Sequence, residues 1–582
     1  MSNADILANK RHTLAHLLAA TILELYPDAK NTIGPAIDNG FYYDFEFTSP
    51  LSENDLVKIE TKMREILPSW SQFKHREVTD KEAKVIYTNN PYKLELIDEI
   101  VAKGEPITLY TIGNFTDLCR GGHSEAPNTD IDPAGFKLDR LAGAYWRGDS
   151  NNTMLTRIYG LAFDNQVELE DYVAKREEAE KRDHRKLGKE LNLFFVDDTV
   201  GKGLIMWLPN GTIMRNEIEK LAIAMEDKGN YQRVSTPHLA KEELFLRSGH
   251  LPYYKDGMYP PMVMDDGTYY LRAMNCPHHH TIYLHLPHSY RELPIRYAEY
   301  GTVYRNELSG TLAGLLRVRG LAMNDAHIYC RKDQIKDEFK NVMALVMEYF
   351  KIFNLSDYWF RLSKWSPEHL DKYINEPANW DFAETVLREV LVELGVKFTE
   401  VEDEAAFYGP KVDVQFKSAI GREETMSTIQ LDFVAKTRFG LTYIDNEGKD
   451  NNEVFVIHRA PLSTHERFMA FLIEHYAGAF PTWLSPVQVA ILPVAEAHDK
   501  FAEEVVTKLK EAGVRVEYLA SGDSLGKRIR SVKTSKVPYF VVIGDKEKDS
   551  GNLTIENRAG DKEEILTEKL VEKLQTEIKN RS

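Results

Sequence analysis

Hydrophobic and polar residues alternate along the chain with two periods, one helical and one extended. Between His12 and Tyr26 the leucine and isoleucine side chains recur on one face, which predicts an amphipathic helix. The runs GFYYDFEF and RIYGLAF have the aromatic composition and the length of β-strands. Residues 1–165 are therefore predicted to form an α+β region.

A charge-rich segment from Gln166 to Glu190 interrupts this pattern. It contains no proline, its first glycine is Gly188, and positive and negative side chains alternate along AKREEAEKRDHRKLGKE. Such a segment is typical of a solvated helix, and we interpret it as a connector.

The residues after the connector combine strand-like runs with helical ones. Ile213–Met225 and Ile335–Phe353 are predicted as helices. Six runs are predicted as strands of a large antiparallel sheet: Gln232–Pro237, Ile295–Tyr304, Leu315–Leu321, Lys411–Phe416, Ser427–Phe433 and Glu453–Ile457.

The C-terminal residues alternate between apolar strands (VQVAILPV, VRVEYLA and YFVVIG) and two helical segments, which predicts a small α/β unit. The expected fold class is therefore an α+β multidomain protein. The expected segments are 1–170, the connector 171–190, a large sheet domain over 191–484, and the α/β unit over 485–582.

Composition narrows the class of protein. A chain of 582 residues with 43% hydrophobic residues can bury several cores, which excludes a disordered or fibrous protein. Three cysteines exclude a disulfide scaffold and indicate a reducing compartment. The start, MSNADILANK, has no apolar signal sequence, and prolines break the longest uncharged run, Ala477–Ala495. We expect a soluble cytoplasmic protein without a membrane span.

The net charge of −17, taken alone, argues against nucleic acid as a partner.

The first candidate site contains two pairs of metal-ligating residues with the same spacing. His12 and His16 lie four residues apart, so both imidazoles share a helix face, and Cys119 and His123 repeat the spacing in FTDLCRGGH. These four side chains suit Zn²⁺. They could equally form a metal-free hydrolytic pocket, because histidine and cysteine also serve acid–base chemistry. A single HxxxH pair is more often a surface feature, and the second pair favours a function.

The second candidate site is dispersed along the chain. Cys276 in RAMNCPHHH, His327 in NDAHIYC and His458 in FVIHRAPLS would give three protein ligands and one open position, as in a catalytic zinc site. The spacing does not show that they meet, and the neighbouring histidines 278–280 could replace any one of them.

Arginines indicate a phosphate-bearing substrate. The run YRNELSGTLAGLLRVRG places Arg305, Glu307 and Arg317 around a loop of small residues, and guanidinium groups bind phosphate or carboxylate bidentately. Arg467 lies at the start of an apolar helix and is a further candidate clamp. Neither a P-loop nor a Rossmann glycine motif is present, so ATP would have to be held in another way.

These motifs resemble those of class II aminoacyl-tRNA synthetases, in particular the threonine-specific family, over nearly the whole chain. The matching motifs, in family order, are IGPAIDNGFYYDF, AGAYWRGD, DHRKLGKEL, YRNE…RVRG, NDAHIYC, AFYGPK and PVQVAILPV. The resemblance implies that ATP, with Mg²⁺, activates L-threonine to its adenylate, and that the threonyl group then passes to tRNA(Thr). It also implies a homodimer through the motif that contains Pro237.

The resemblance implies roles for individual residues. Arg305 would hold the α-phosphate and the substrate carboxylate, and Glu307 the adenine. Arg317 and Arg467 would bind the γ-phosphate end. The remaining implied positions are Gln430 for ATP, Met323, Asp325 and Tyr408 for threonine, Lys411 for the adenylate, and His250 for proton removal at the ribose.

An apolar pocket distinguishes threonine poorly from valine, because the two differ only by a hydroxyl in place of a methyl group. Zinc at Cys276, His327 and His458 would select threonine by binding that hydroxyl. Serine also has a hydroxyl, so the family hydrolyses seryl-tRNA at a second site, which works without a metal. Here that editing site would consist of His12, His16, Lys93, Asp117, Cys119 and His123.

The chain departs from the family pattern at several positions. Met323 stands where glutamine is usual, Ala313 where histidine is usual, and Thr425 where glutamine is expected, while His278 replaces a common glycine. The chain also begins almost at the HxxxH helix, so a form without the family's small additional N-terminal domain is expected. Two alternatives remain open: a seryl-tRNA deacylase with a decayed synthetase core, and a non-catalytic regulator that binds RNA.

Local charge changes the inference drawn from net charge. The predicted C-terminal helix carries a basic cluster opposed by Asp523 alone: Lys527, Arg528, Arg530, Lys533 and Lys536. The resemblance assigns this region to anticodon binding, with the first four as tRNA contacts. We therefore expect tRNA to meet local positive faces on an acidic body.

Overall fold

The computed structural model describes residues 3–417 and 423–582. The chain separates into two compact units, one ending at Glu177 and one beginning at Glu178. Within the described ranges, no helix is both long and apolar enough to cross a bilayer.

The N-terminal unit packs helices against two antiparallel sheets. The helix predicted over His12–Tyr26 spans Asn3–Leu25, so it begins nine residues earlier than expected. Its Leu14, Leu17 and Leu18 are buried in a core shared with the strand Gly40–Glu46. The first sheet contains the strands Lys30–Asn31, Ala36–Ile37, Gly40–Glu46, Met154–Ala162 and Phe136–Tyr145, and the second contains Lys74–Val78, Ile107–Ile112 and Phe115–Leu118. The other main helices are Glu53–Ile66, Asp80–Ile86 and Pro91–Ala102.

The predicted connector helix is interrupted. One helix spans Gln166–Arg182 and a second spans His184–Glu190. The carboxylate of Asp183 accepts a hydrogen bond from the backbone N–H of Arg185 at 2.7 Å, so it caps the second helix. The sequence prediction of one continuous helix is wrong because alternating charge does not reveal an N-cap in its middle.

An eight-stranded sheet forms the centre of the second unit. Its order is Gln232–Arg233, Ile295–Tyr304, Gly320–Arg331, Val454–Ala460, Glu423–Asp432, Lys411–Lys417, Tyr358–Ser363 and Phe398–Val401. The first pair and the last pair of strands are parallel, and the other neighbours are antiparallel. The helices Pro209–Lys228, Ile335–Ile352, Pro377–Glu393 and His465–His475 contribute to its core.

The predicted strand Leu315–Leu321 is largely a loop. The ladder begins only at Gly320, and the backbone N–H of Arg319 instead donates to the carbonyl of Gly203 at 2.7 Å. Leu315 and Val318 are buried, so their apolar character reflects loop packing rather than a strand. This loop borders the candidate active site.

The C-terminal residues form a five-stranded sheet with an apolar core on each face. Its order is Val516–Tyr518, Val489–Pro493, Tyr539–Ile543, Asn552–Asn557 and Lys562–Leu566. The helices Asp499–Glu511 and Thr567–Asn580 cover one face, and the helix Leu525–Thr534 covers the other.

Candidate active site and a second His/Cys pocket

A cavity of about 700 Å³ opens on the eight-stranded sheet. It brings together residues that lie nearly 200 positions apart in the sequence, because the central strands and the loop before Gly320 all contribute to its wall. The predicted site residues that line it are Cys276, Arg305, Glu307, Arg317, Met323, Asp325, His327, Tyr408, Lys411, Gln430, His458 and Arg467.

The dispersed cysteine and histidines converge at one end of this cavity. Cys276 is the first residue of the helix Cys276–His285, and His327 and His458 pair across neighbouring antiparallel strands. The three candidate ligand atoms lie within 4.8 Å of one another, and all three residues are buried. The structure thus supplies the convergence that the sequence left open.

The neighbouring histidines have separate partners. His279 Nδ1 lies 2.8 Å from His327 Nδ1, and His280 Nδ1 lies 3.0 Å from the hydroxyl of Tyr329. His458 Nε2 lies 3.0 Å from Asp432 Oδ2, a carboxylate contact of the kind that orients histidine ligands of zinc. His280, Asp432 and His458 also form a group with metal-ligand spacing, but it shares His458 with the first group.

The chemistry of the donor set fits a zinc ion. Burial raises the pKa of the Cys276 thiol well above its usual value, and burial lowers the pKa of His327. A neutral imidazole is ready to bind a metal, whereas the thiol must lose its proton, which a divalent cation favours. One sulfur and two nitrogens with an open fourth position are the donors of a catalytic zinc site. Asp325 lies beside them, held by the amide of Asn275 at 3.0 Å.

Three predicted arginines, Arg305, Arg317 and Arg467, line the same cavity. Arg467 donates to the carbonyls of Leu316 at 3.2 Å and Thr425 at 3.3 Å, so its guanidinium is fixed by the loop and a strand. Arg317 Nε lies 3.0 Å from Glu307 Oε2 in an ion pair that is partly exposed. The Nε of Arg305 is buried without a hydrogen-bond partner among the described residues, as expected for a donor kept for a ligand.

Four further predicted residues belong to the wall of this cavity. The hydroxyl of Tyr408 donates to Gln430 Oε1 at 2.6 Å, and Lys411 Nζ donates to Asp413 Oδ2 at 2.7 Å. Met323 lies two positions before Asp325 on the same strand and also lines the cavity. Its thioether offers no strong hydrogen bond at this wall.

His250 does not line the large cavity. Its side chain is buried behind Cys276, where Nδ1 lies 2.8 Å from Ser248 Oγ and Nε2 lies 4.0 Å from Cys276 Sγ. Burial lowers the pKa of His250 to about 4, which keeps it neutral. His250 is therefore buried in this structure, and its role at the tRNA ribose stays a prediction.

The two N-terminal pairs meet in a separate pocket of about 370 Å³ within the first unit, lined by His12, His16, Lys93, Asp117 and Cys119. Cys119 Sγ lies 3.6 Å from His12 Nε2 and 3.4 Å from His123 Nε2. His16 Nδ1 lies 3.3 Å from Asp117 Oδ2, and Lys93 Nζ lies 2.5 Å from Asp117 Oδ1. All six residues predicted for this site are thus brought together.

Charges are arranged in this pocket without any added ion. Burial alone would raise the pKa of Cys119, but hydrogen bonds from His12, His123 and His16 lower it to about 3. Burial alone would lower the pKa of His16, but Asp117 and Cys119 raise it to about 9. At neutral pH the pocket therefore contains a thiolate at Cys119, a carboxylate at Asp117 and an imidazolium at His16.

The basic C-terminal helix is only partly available to a ligand. Lys527, Arg530 and Lys533 are exposed. Arg528 is 5% exposed, and its guanidinium donates to the carbonyls of Pro493, Leu519 and Asp523. The prediction that Arg528 contacts tRNA therefore fails on burial: this arginine fastens the helix to the sheet.

Three contributors to the sites were missed at the sequence level. Glu299 and His279 lie behind His327, and the hydroxyl of Tyr43 donates to Asp117 Oδ2 at 2.6 Å. His279 stood in a run of three histidines and could have been selected by helix phase, since Cys276 and His279 are three residues apart. Tyr43 and Glu299 lie in strands whose pairing the sequence does not disclose.

Comparison with known proteins identifies the class and then the family. Residues 262–476 match the class II tRNA synthetase core domain (G, H, P, S and T), and residues 488–577 match an anticodon binding domain. This core and this site define a class II aminoacyl-tRNA synthetase. The chain is 49% identical to a threonine–tRNA ligase from Anoxybacillus flavithermus, in an alignment that covers 96% of this chain and 86% of the relative. It is 50% identical to one from Geobacillus kaustophilus, with 95% of this chain and 84% of the relative covered. It belongs to the threonine–tRNA ligase family.

A solved structure supports the same assignment. The RNA binding domain of threonyl-tRNA synthetase from Cryptosporidium parvum Iowa II aligns with a TM-score of 0.65 at 33% identity, over 68% of this chain and 98% of that one. The predicted fold class, enzyme class and family are thereby confirmed.

Proposed function

We propose that this protein uses ATP to join L-threonine to tRNA(Thr). The observation that carries the proposal is one cavity that is lined both by a Cys/His/His group and by three arginines. An amino acid bound at the Cys/His/His group would present its carboxylate toward the α-phosphate of ATP held by the arginines. Proximity of this kind accounts for much of the barrier reduction in a two-substrate reaction.

The arginines would hold ATP and stabilise the charge that develops at the α-phosphate. Arg305 would contact the α-phosphate and the carboxylate, and Arg467 the γ-phosphate, where its bonds to two carbonyls keep the guanidinium in place. Arg317 and Glu307 would exchange their mutual ion pair for contacts with the phosphates and the adenine. Gln430, Tyr408 and Lys411 would position the adenylate, and Mg²⁺ would neutralise part of the phosphate charge.

Cys276, His327 and His458 would hold one zinc ion per chain. Bound zinc would supply a Lewis-acid position for the amino and hydroxyl groups of threonine. Asp325 lies at that end of the cavity and would accept a hydrogen bond from the same hydroxyl. Valine would leave this carboxylate without a partner, which is costly in a buried site. Met323, in place of glutamine, removes a polar contact and leaves selection to Asp325 and the metal.

The N-terminal pocket would hydrolyse seryl-tRNA(Thr). The thiolate of Cys119 is flanked by His12 and His123, and Asp117 is held by Lys93 and Tyr43, so the pocket has acid and base groups at fixed distances. The imidazoles around Cys119 lower its pKa without a metal, which favours the metal-free form. We further propose a cytoplasmic homodimer with the Pro237 segment at its interface, and tRNA binding by Lys527, Arg530 and Lys533.

Threonine-dependent exchange of pyrophosphate into ATP, with zinc determined on the same protein, tests the proposal. The expected result is exchange with threonine, little with valine, and about one zinc per chain. Hydrolysis of seryl-tRNA without exchange would favour a deacylase with a decayed core. RNA affinity without exchange or hydrolysis would favour a regulator. Either result would overturn the ligase assignment.

A further inference from the structure

A buried chain of three side chains stands behind the candidate zinc ligand His327. His279 Nδ1 lies 2.8 Å from His327 Nδ1, and His279 Nε2 lies 3.1 Å from Glu299 Oε2. His279 is fully buried, in the same helix as Cys276, and Glu299 lies on the strand next to that of His327. These contacts thus join the helix of Cys276 and the strand of His327 to a further strand, Ile295–Tyr304, behind the metal site.

Other contacts keep Glu299 in its ionised form. Its carboxylate accepts from the backbone N–H of Thr236 at 3.0 Å and from the Thr236 hydroxyl at 2.8 Å, and Arg272 lies 3.4 Å away. Burial raises the pKa of Glu299, but His279, Thr236 and Arg272 together lower it to about 2. An ionised carboxylate only accepts hydrogen bonds, so His279 Nε2 must carry the proton of this contact.

The direction of the chain then follows from the tautomers. Because His279 donates to Glu299 through Nε2, its Nδ1 is the atom that accepts from the Nδ1–H of His327. A neutral His327 that is protonated on Nδ1 has its lone pair on Nε2. That lone pair is the one a metal ligand needs, and the hydrogen bond fixes the orientation of the ring as well as its tautomer.

We propose that Glu299 and His279 form a relay that holds His327 in its zinc-binding tautomer and orientation. The proposal rests on the zinc site proposed above. His279 and Glu299 are positioning residues: they act on zinc affinity through His327 and do not touch the substrate.

Substitution of His279 by leucine removes both hydrogen bonds and places an apolar side chain at this buried position of the helix. Loss of such a supporting contact weakens metal binding by about 10–100-fold, so we expect that decrease in zinc affinity in a titration against a chromophoric chelator. The Co²⁺-substituted protein should show a shifted visible spectrum, because the ligand field at His327 changes. A merely structural role of His279 would change neither quantity in protein that remains folded.

The matched control is His278→Leu. His278 precedes His279, is 6% exposed, and makes no hydrogen bond with the relay among the described residues. We expect zinc affinity and the Co²⁺ spectrum of this variant to equal those of the wild type. Equal zinc affinities for the two leucine variants would overturn the relay.

His279→Asn keeps the test valid if the leucine variant fails to fold. The asparagine oxygen can accept near the position of Nδ1, but its amide does not extend to Glu299. We expect zinc affinity below that of the wild type and, where both variants fold, above that of the leucine variant. Wild-type affinity in His279→Asn would exclude Glu299 from the relay. A wild-type protein that binds no zinc would instead overturn the zinc site itself.

Discussion

The two His/Cys sites use the same residue types to opposite electrostatic effect. In the N-terminal pocket, hydrogen bonds from imidazoles lower the pKa of Cys119 to about 3, and Asp117 with Cys119 raises that of His16 to about 9. In the cavity on the large sheet, burial raises the pKa of Cys276 and lowers that of His327. The first site therefore ionises its own thiol, whereas burial keeps the thiol of the second site protonated until a cation arrives.

The difference arises from the partners that surround each thiol. Cys119 has two imidazole nitrogens within 3.6 Å, whereas the nearest imidazole bonded to Cys276, that of His250, lies at 4.0 Å. Of the two histidines near Cys276, His327 instead contacts His279, and His458 contacts Asp432. Residue type alone is therefore a poor guide to metal binding: the second layer of contacts decides whether a Cys/His cluster suits acid–base chemistry or a metal.

Replacing each thiol by a hydroxyl should separate threonine activation from seryl-tRNA hydrolysis, and we expect it to give the largest effects among these predictions. Cys276→Ser is expected to lose zinc and to reduce threonine-dependent pyrophosphate exchange by about 10²–10³-fold, the scale of losing one charge-stabilising group. It should leave hydrolysis of seryl-tRNA largely unchanged. Cys119→Ser is the matched control and should show the reverse pattern. Unchanged zinc content in Cys276→Ser would contradict the ligand assignment.

The alkylation rates of the three cysteines should follow the electrostatic surroundings of their thiols. In zinc-free protein at pH 6, Cys119 is a thiolate that lines an open pocket, whereas Cys276 and Cys330 are buried thiols with raised pKa values. The low pKa of Cys119 also weakens it as a nucleophile, so we expect it to be alkylated only about 10–100-fold faster than the two buried cysteines. Iodoacetamide labelling followed by peptide mass spectrometry measures the three rates. Faster labelling of Cys276 than of Cys119 would reverse the comparison.

Much of the fold was predictable because its strongest signals are local. The helix Asn3–Leu25 and the strand Ile295–Tyr304 follow directly from hydrophobic periodicity. The loop before Gly320 was misassigned because an apolar segment that packs beneath a cavity has the composition of a strand. Periodicity likewise did not reveal the break at Asp183, where a single carboxylate ends one helix and caps the next.

The candidate sites were predictable as sets of residues but not as geometry. Cys276, His327 and His458 could be named from their motifs, yet only the pairing of the strands brings the two histidines opposite each other. Arg528 looked like a surface cation because charge in a sequence does not report burial, and here three carbonyls enclose it. The burial of His250 could not be predicted from its motif for the same reason.

The last prediction concerns the pH dependence of stability in the N-terminal unit, and its effect is the smallest. His16 has a folded pKa raised to about 9, so its contribution to stability is complete below its unfolded pKa of about 6.5 and is lost as pH rises through about 9. Cys119 has a folded pKa lowered to about 3, so its contribution is complete above its unfolded pKa of about 8.5 and falls toward acid pH.

Between about pH 6.5 and 8.5 these two slopes cancel, because the folded pocket holds one proton on His16 and the unfolded chain holds one on Cys119. In Cys119→Ser only the His16 slope remains, since Asp117 still raises its pKa. The opening free energy of the helix Asn3–Leu25 should then fall by roughly 1–2 kcal/mol over this range, relative to the wild type. Hydrogen exchange of the full chain, corrected for intrinsic rates, measures this difference. Parallel pH profiles for the two proteins would show that the pocket lacks the thiolate–imidazolium pair that distinguishes it from the Cys276 site.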